Sequence, residues 1–425
     1  MTRHRVAQLF VAALVAGALE ISGTASAEFQ AGIASVHVTP KEQMPVSGGL
    51  GTPGPTTQTT GELDVRAIVF ADDDTRVAIV SVPFIGFPKV LGDKVRARVK
   101  GIPGENILIG STHTHSAPDM YAFMNEKGEV TADLKYIEWV CEKAGDAINE
   151  AIGALRPADL KIATGKAEGK ISYNYYAPRL YDPRTHVVQA IGKDGKPFAT
   201  LVNYAIHPEV IGPDRGILGP DLIGPLHDRI AEQGGGMGIF MNGAQGGMVT
   251  ADCRGDDGKD VQTWEECIRI GNLLADESLR IVGEAKAQAD PDLWCGAKPL
   301  TLPVDNVLFR MIIKGSPLGY AMSDDYKVTT QLNVINLGNA QMLSIPGEAL
   351  PNVGYYLKRK MHGENENNFL FGLTNDAFGY MMVKEDFQSF ERYDYISRTC
   401  LGENTADLYV EQALAYVEEC PRPGK

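Results

Sequence analysis

Two histidines separated by one residue, His113 and His115, follow an apolar run in this chain. The run at 107–109 (Ile-Leu-Ile) is typical of a buried β-strand, and the small residues and proline at 116–118 are typical of a turn. Residues i and i+2 of an extended segment point to the same side, so both imidazoles are able to face one site. The alternative interpretation is a pair of polar residues in a surface turn.

Polar residues also follow three further apolar runs. They are His207, the segment Asn242, Gly243, Ala244 and Gln245, and Glu348. In open α/β sheets ligands bind in crevices outside the strand ends, so we expect these residues to lie near the histidine pair. Two histidines and a carboxylate from separate strands suit a catalytic zinc ion, which keeps one coordination position open for water. Other divalent metals are also compatible with these ligands.

Each of these residues has a structural alternative. His207 precedes a proline and could be a structural residue at a strand end. The segment 242–247 could be a plain glycine turn. Glu348 opens a predicted helix, where a carboxylate complements the helix dipole without any metal. The spacing alone is therefore compatible with two interpretations, a metal site and a set of structural residues.

The elements that must position these residues alternate along the chain. Strands are predicted from apolar runs and turn signals at 31–38, 66–71, 76–82, 107–109, 187–191, 198–206, 238–241, 331–337, 341–345 and 369–373. Helices are predicted from apolar residues at helical spacing at 89–99, 136–155, 221–233, 349–360 and 405–418. The mixture predicts an α/β fold, a mixed sheet flanked by helices, with α+β as the alternative. The segment 44–61, rich in Gly, Pro and Thr, is predicted to be a long functional or disordered loop.

Residues 1–27 have the features of a secretory signal peptide. A basic start precedes an apolar stretch at 9–19 and an Ala-Ser-Ala ending at 25–27. The apolar stretch is shorter than the roughly 20 residues that span a bilayer. We therefore predict cleavage after Ala27, a secreted or periplasmic protein, and no transmembrane segment in the remainder. Residues 28–425 are expected to form a single large catalytic domain, although that length also allows two.

The composition narrows the possible partners. The formal net charge is −14, which disfavours binding to nucleic acid or to an anionic membrane surface. The oligomeric state stays open. The chain has six cysteines and no Cys-x-x-Cys spacing, so a thiolate zinc site is not expected. In an oxidising compartment their even number predicts disulfides, for which Cys253 with Cys267 and Cys400 with Cys420 are the local pairings.

Several segments resemble the neutral (non-lysosomal) ceramidases. Residues 110–118 (Gly-Ser-Thr-His-Thr-His-Ser-Ala-Pro) resemble that family's Gly-Thr-His-Thr-His-Ser-Gly-Pro stretch. Residues 204–208 resemble its Phe-Ala-x-His-Pro, and residues 345–348 resemble its Val-Pro-Gly-Glu. Residues 373–375 with Gly379 and Tyr380 resemble its Leu-x-Asn segment and the tyrosine that follows. The similar segments come in family order and extend over most of the chain after residue 27.

The resemblance implies a zinc-dependent amidase that consists of the catalytic domain without the family's carboxy-terminal immunoglobulin-like domain. Its Zn²⁺ ligands would be His113, His207, Glu348 and Tyr380, with Phe378 as the other residue that could align with the family tyrosine. Zinc-bound hydroxide would attack the amide carbon of a small-molecule or lipid substrate such as ceramide. His115 would be catalytic, moving a proton or hydrogen-bonding the developing oxyanion, and Tyr380 would share the catalytic role. Residues 242–245 would bind substrate.

The chain also departs from the family pattern. Ceramidases have Gly-Asp-Val-Ser-Pro after the glycine turn, where this chain has Gly-Met-Val-Thr at 247–250. Three hypotheses follow. The first is a secreted zinc hydrolase of an N-acyl amide such as ceramide. The second is the same zinc core acting on another amide or an ester, and the third is an exported binding protein without catalytic activity.

Overall fold

The fold is described from a computed structural model that covers residues 28–49, 53–124 and 127–424. The predicted signal peptide lies outside these described residues, so its boundary after Ala27 stays a prediction. Within them the chain forms mixed β-sheets flanked by α-helices, which confirms the predicted α/β fold.

The strands and helices alternate along most of the chain. The strands are β1 (Gln30–His37), β2 (Val46–Ser47), β3 (Gln58–Thr59), β4 (Asp64–Ala71), β5 (Arg76–Val82), β6 (Ile107–Ser111), β7 (Ala117–Pro118), β8 (Arg156–Lys166), β9 (Ser172–Asn174), β10 (Arg184–Gly192), β11 (Pro197–Tyr204), β12 (Ile217–Leu218), β13 (Met237–Asn242), β14 (Val249–Ala251), β15 (Leu293–Pro303), β16 (Lys327–Leu337), β17 (Ala340–Ser344), β18 (Glu348–Ala349), β19 (Asn368–Phe371) and β20 (Tyr380–Met381). The α-helices are α1 (Lys89–Arg96), α2 (Leu134–Gly153), α3 (Ile223–Glu232), α4 (Trp264–Gly283), α5 (Val307–Gly315), α6 (Pro351–Lys358), α7 (Asp394–Arg398) and α8 (Thr405–Glu419). In the described part of the chain, none of these helices is long and apolar enough to cross a bilayer.

The larger sheet has eight strands in the order β13-β11-β10-β8-β1-β4-β5-β6. Most neighbours are antiparallel, but β5 pairs with β6, and β11 with β13, in parallel. The alternation of β4 sorts its side chains between the two faces. Val65, Ala67 and Val69 pack in the core shared with α1 and α2, whereas Ile68 and Phe70 pack on the opposite face.

A second sheet covers that opposite face. It has four strands in the order β15-β16-β17-β19. Ile335 and Leu337 of β16 join Ile68 and Phe70 in the core between the sheets, while Val334 faces the cluster that contains residues of α6 and α8. The molecule therefore has four layers, helix–sheet–sheet–helix, where the sequence predicted a mixed sheet without resolving two of them.

The carboxyl ends of strands from both sheets meet at one place. Gly110 of β6 bridges to Thr374, just beyond β19, and a Cβ at Gly110 would lie 2.5 Å from both the Thr374 hydroxyl oxygen and Met241 Cε. A side chain at 110 would therefore collide with Thr374 and Met241, and these two side chains would have to shift. The glycine before the histidine pair thus permits the close approach that brings the strand ends together.

Most of the predicted elements are present, with ends displaced by a few residues. Four longer elements, β8, β15, α4 and α5, have no counterpart among the predictions. Helix α4 did carry a start signal, because the Thr263 hydroxyl caps it by accepting from the backbone N–H of Glu266. Strand β15 carries a glycine and a proline in its interior, which weakens its strand signal.

The predicted disulfides are not formed, and all six cysteines are free thiols in the structure. Cys400 and Cys420 pack in different apolar clusters, which explains why this local pairing is absent. Cys253 and Cys267 share a cluster and are nonetheless unbonded. Burial raises the pKa of the Cys253 thiol to about 12 and that of Cys400 to about 11, so neither is a reactive thiolate near neutral pH.

A buried polar chain links α6 to the larger sheet. The Lys358 ammonium donates to His186 Nε2 at 2.7 Å and to Asp182 at 2.9 Å. Because lysine only donates, the His186 proton is on Nδ1, which donates to the Thr164 hydroxyl at 2.7 Å. That hydroxyl donates in turn to Asn367 at 2.9 Å. Burial, followed by the charge of Lys358, holds the pKa of His186 well below its ordinary value.

This chain predicts a pH-dependent stability difference between the wild type and His186→Gln. Folded His186 stays neutral, so below pH ~6.5 the unfolded state binds one more proton, and the wild type loses about 1.4 kcal/mol per pH unit from this group as the pH falls. His186→Gln lacks that loss. Its deficit in the free energy of unfolding should therefore shrink between pH 6.5 and 5, as measured by urea denaturation. A constant deficit would contradict the neutral assignment.

Candidate metal centre

His113 lies just beyond β6, in a backbone conformation that side chains rarely adopt. Its φ is 73°, and its backbone N–H donates to the Phe84 carbonyl at 2.9 Å. Nδ1 lies 2.5 Å from the carbonyl oxygen of Ile85. A carbonyl only accepts, so the proton is on Nδ1 and the Nε2 lone pair is free. The strained turn and this bond together fix the direction of Nε2.

His207 follows β11 and is held in the same way. Its backbone N–H donates to the Val249 carbonyl at 2.8 Å, and its Nδ1 lies 2.9 Å from the same oxygen. The side chain is fully buried. Both histidines therefore present Nε2 and use Nδ1–H on a carbonyl, which is the arrangement that orients histidine ligands in metal sites.

Asn242, at the end of β13, joins the two histidine segments. Its side-chain N–H groups donate to the carbonyls of Thr112 at 3.0 Å and Ile206 at 2.7 Å, which are the residues preceding His113 and His207. Its Oδ1 accepts from the backbone of Ile206 at 3.2 Å and of Gly243 at 2.9 Å. The amide is occupied by backbone partners, and the structure places Asn242 in support of the two imidazoles.

The other residues predicted to bind substrate, Gly243, Ala244 and Gln245, are buried beneath the centre. The adjacent glycine turn lies against the Glu348 segment. The Gly246 N–H donates to the Ala349 carbonyl at 2.9 Å, and a Cβ at Gly246 would lie 2.1 Å from the Glu348 carbonyl oxygen. A substrate contact for residues 242–245 stays a prediction.

Glu348 and Tyr380 arrive side by side because β18 and β20 pair in parallel with these two residues in register. Glu348 Oε2 lies 3.1 Å from His207 Nε2 and 3.5 Å from His113 Nε2. The Tyr380 hydroxyl donates to Met248 Sδ at 3.3 Å. The predicted ligands are therefore neighbours, with the Tyr380 hydroxyl engaged at Met248.

His115 completes a buried group of three imidazoles. Its Nε2 lies 3.4 Å from His113 Nε2. One ring nitrogen from each of His113, His115 and His207 lies within 4.8 Å of the others, and this group could hold a metal ion. The sequence analysis placed both histidines at one site, and the resemblance gave His115 a catalytic role and not that of a ligand.

Burial and neighbouring charges change the pKa values of the ionisable side chains at the centre. Burial lowers the pKa of His113 and of His115 to about 3, so both are neutral at pH 7. Burial opposes the ionisation of Glu348 and His207 as well. At Glu348 it is outweighed by His113 and His207, which lower the pKa, and at His207 it is outweighed by Glu348 and Glu209, which raise the pKa. Because the His207 Nδ1–H is donated to a carbonyl, the Nε2 contact with Glu348 is attractive only with a second proton or a metal cation between them.

Glu209, which the sequence analysis did not select, faces the far side of His115. Its Oε2 lies 3.5 Å from His115 Nδ1, and the backbone N–H of His115 donates to the Pro208 carbonyl at 3.2 Å. The position of this carboxylate two residues after His207 was the available signal. An imidazole placed between a carboxylate and a ligand cluster is oriented for proton transfer.

The centre opens into a cleft with an empty volume of about 880 Å³. His113, His115, Glu348 and Tyr380 line its polar end. The remaining walls are mostly apolar or aromatic and include Tyr121, Phe123, Phe309, Ile312, Ile313, Leu318, Tyr320, Phe378 and Tyr395. Gly48 and Gly49, in the loop predicted to be functional, also line it. The walls contributed by α5 were not predicted, although this helix carries a start signal in Asn306, whose side chain accepts from the backbone N–H of Leu308.

Comparison with known proteins identifies structures that share this fold. No protein-family profile matches the chain, and no curated protein sequence matches it. Among solved structures, neutral ceramidase from Pseudomonas aeruginosa matches with a TM-score of 0.75 and 16% sequence identity, over 94% of this chain and 76% of that one. A ceramidase complexed with C2 matches with a TM-score of 0.73 and 15% identity, over the same shares of the two chains. The chain therefore has the fold of the neutral ceramidases.

Proposed function

We propose that this protein is a zinc-dependent amidohydrolase of the neutral ceramidase family that cleaves the amide bond of an N-acyl lipid such as ceramide. The observation that carries the proposal is the convergence of His113 and His207 Nε2 beside Glu348 at the base of an apolar cleft. The likeness in fold to ceramidases supports the substrate class. A secreted or periplasmic location follows from the predicted signal peptide.

The residues present fit a zinc ion. The oriented neutral imidazole of His113 and the ionised carboxylate of Glu348 are the protein ligands that catalytic zinc uses, and a metal between His207 and Glu348 would replace the proton that their contact requires. His113, His207 and Glu348 would hold the ion, with Tyr380 as the fourth ligand carried over from the resemblance. When bound, zinc lowers the pKa of a water ligand and polarises a carbonyl.

The residues of the chain would supply the remaining chemistry. His115 is neutral at pH 7 and has Nε2 directed to the cluster, so it can accept a proton there during attack and return it to the leaving nitrogen. Tyr395, whose ring centroid lies 6.0 Å from that of Tyr380, also lines the cleft, and its hydroxyl can donate to the developing oxyanion. The apolar walls would hold the hydrocarbon chains and exclude water.

A second candidate keeps the same zinc core and changes the substrate to another amide or an ester. It is favoured by the segment at 247–250, where Gly-Met-Val-Thr stands in place of the family's Gly-Asp-Val-Ser. The structure puts Met248 of this segment in contact with the Tyr380 hydroxyl, so the change lies at the cleft. A binding protein without catalytic activity is the third and weakest candidate.

The ligand assignment predicts metal loss on substitution of either histidine. Purified wild-type protein should contain about one zinc per chain by elemental analysis. His113→Ala and His207→Ala should each lose it, because each removes an oriented Nε2 from the cluster. His362→Ala, which removes an imidazole that belongs to neither metal-capable group in the described part of the chain, is the matched control. Unchanged metal content in both site variants would refute the assignment.

The role of His115 predicts a loss of turnover without loss of metal. His115→Asn should lower kcat by about 10²- to 10⁴-fold on an N-acyl-sphingosine, the range for a positioned general acid–base group. Zinc content should stay at the wild-type value. If kcat is unchanged, His115 does not transfer the proton, and if zinc is lost, His115 is itself a ligand.

A substrate panel decides between the candidates. N-acyl-sphingosines, short N-acyl amides and esters of the same acyl chains are compared by kcat/KM with zinc-loaded protein. Preferred cleavage of the N-acyl-sphingosine supports the first candidate, and preferred cleavage of a short amide or an ester supports the second. No turnover of any compound by zinc-loaded protein supports the third.

A further inference from the structure

A second polar feature lies in the same cleft, apart from the metal centre. Asp376 belongs to the loop between β19 and β20, is 1% exposed, and lines the cleft. Its Oδ1 accepts hydrogen bonds from the backbone N–H groups of Lys89 at 3.2 Å and Ala377 at 3.0 Å, and from the Tyr320 hydroxyl. These three donors fix the carboxylate in one orientation.

The other carboxylate oxygen has no such partner. Oδ2 of Asp376 is buried and accepts no hydrogen bond within the described residues. The neighbouring Thr330 hydroxyl acts to lower the pKa of Asp376, but its one O–H is donated to the Asn375 carbonyl at 3.3 Å. The Arg96 guanidinium is engaged with Asn375, Asp93 and a backbone carbonyl. Burial of an acceptor without a donor costs free energy. We therefore expect this oxygen to accept a hydrogen bond from a bound molecule.

We propose that Asp376, positioned by Tyr320, is a subsite for a hydroxyl group of the substrate. The inference rests on the proposed function and goes beyond it by assigning a specificity residue. One free acceptor oxygen matches the single O–H donor of a hydroxyl group. An ammonium group brings three donors and a full charge, and the surrounding Phe309, Leu318 and Phe378 offer neither the extra acceptors nor polar solvation.

Asp376 lines the same cleft as the histidines, so one substrate molecule can reach both. His113, His115 and Glu348 line the same cavity as Asp376 and Tyr320. A substrate whose scissile amide is at the histidines therefore extends along walls that carry one unsatisfied acceptor. Hydrocarbon without a hydroxyl group would leave that acceptor unpaired, so the cleft discriminates in favour of a hydroxylated N-acyl amine.

Binding of the amine part alone tests the subsite without requiring hydrolysis. A long-chain 2-amino-1,3-diol and the alkylamine of equal chain length are titrated into the zinc-loaded full chain by calorimetry. The wild type should bind the diol about 10- to 100-fold more tightly, the range for a hydrogen bond to a charged group. Equal affinities would overturn the proposal.

Asp376→Asn should reduce that preference at least severalfold, because the replaced oxygen becomes an N–H donor on a neutral amide, while affinity for the alkylamine should change little. Asp221→Asn is the matched control. Asp221 is also fully buried with a pKa raised by burial to about 6. Its carboxylate accepts from the backbone N–H groups of Ile211 and Leu222, and it does not line the cleft. A preference retained in Asp376→Asn, or lost equally in both variants, would overturn the assignment.

If Asp376→Asn does not fold, Tyr320→Phe serves instead, since it removes only the hydroxyl that positions the carboxylate. It should weaken diol binding and leave alkylamine binding unchanged, and an unchanged preference would contradict the proposal. Hydrolysis of N-acyl derivatives of the two amines is measured in parallel. A wild type that prefers the diol but hydrolyses neither derivative would refute the proposed function and leave the subsite standing.

Discussion

The centre depends on one type of hydrogen bond, from imidazole Nδ1–H to a backbone carbonyl. His113 makes it to Ile85 and His207 makes it to Val249, and each bond fixes both the tautomer and the direction of the ring. Without these bonds the two buried imidazoles could turn either nitrogen inward. With them, Nε2 of each ring faces Glu348, and the position where a cation is favourable is defined before any ion binds.

The rest of the fold holds those bonds in place. Asn242 ties the two histidine segments together through carbonyls one residue before each ring. Gly110 lets the sheets approach, and Gly246 lets the turn lie against the backbone of Glu348. Parallel pairing of strands within both sheets brings their carboxyl ends to one side. The four-layer arrangement therefore brings together residues that are far apart in sequence.

The sequence predicted which residues meet at the centre better than it predicted the cleft around them. His113, His207 and Glu348 each follow an apolar strand, a local signal that survives without any tertiary information. Asp376 and the α5 residues become part of the cleft only through packing between distant segments. Glu209 is recognisable as a residue of the site only from its position beside His115. The second sheet was not resolved because β15 carries a glycine and a proline, and its pairing with β16 is a tertiary property. The prediction of disulfides was wrong because neither an oxidising compartment nor an even number of cysteines determines the distance and orientation of two thiols in the fold.

The cleft walls and the imidazole cluster come from different parts of the fold, and this has an evolutionary consequence. The cluster is tied to strand ends and backbone carbonyls, where substitution disturbs both sheets. Helix α5 and the loop that contains Asp376 contribute side chains to the cleft without supplying any of the three imidazoles. Substitution of a wall residue can therefore change the shape of the cleft without removing any imidazole of the cluster, so the two parts can vary separately in evolution.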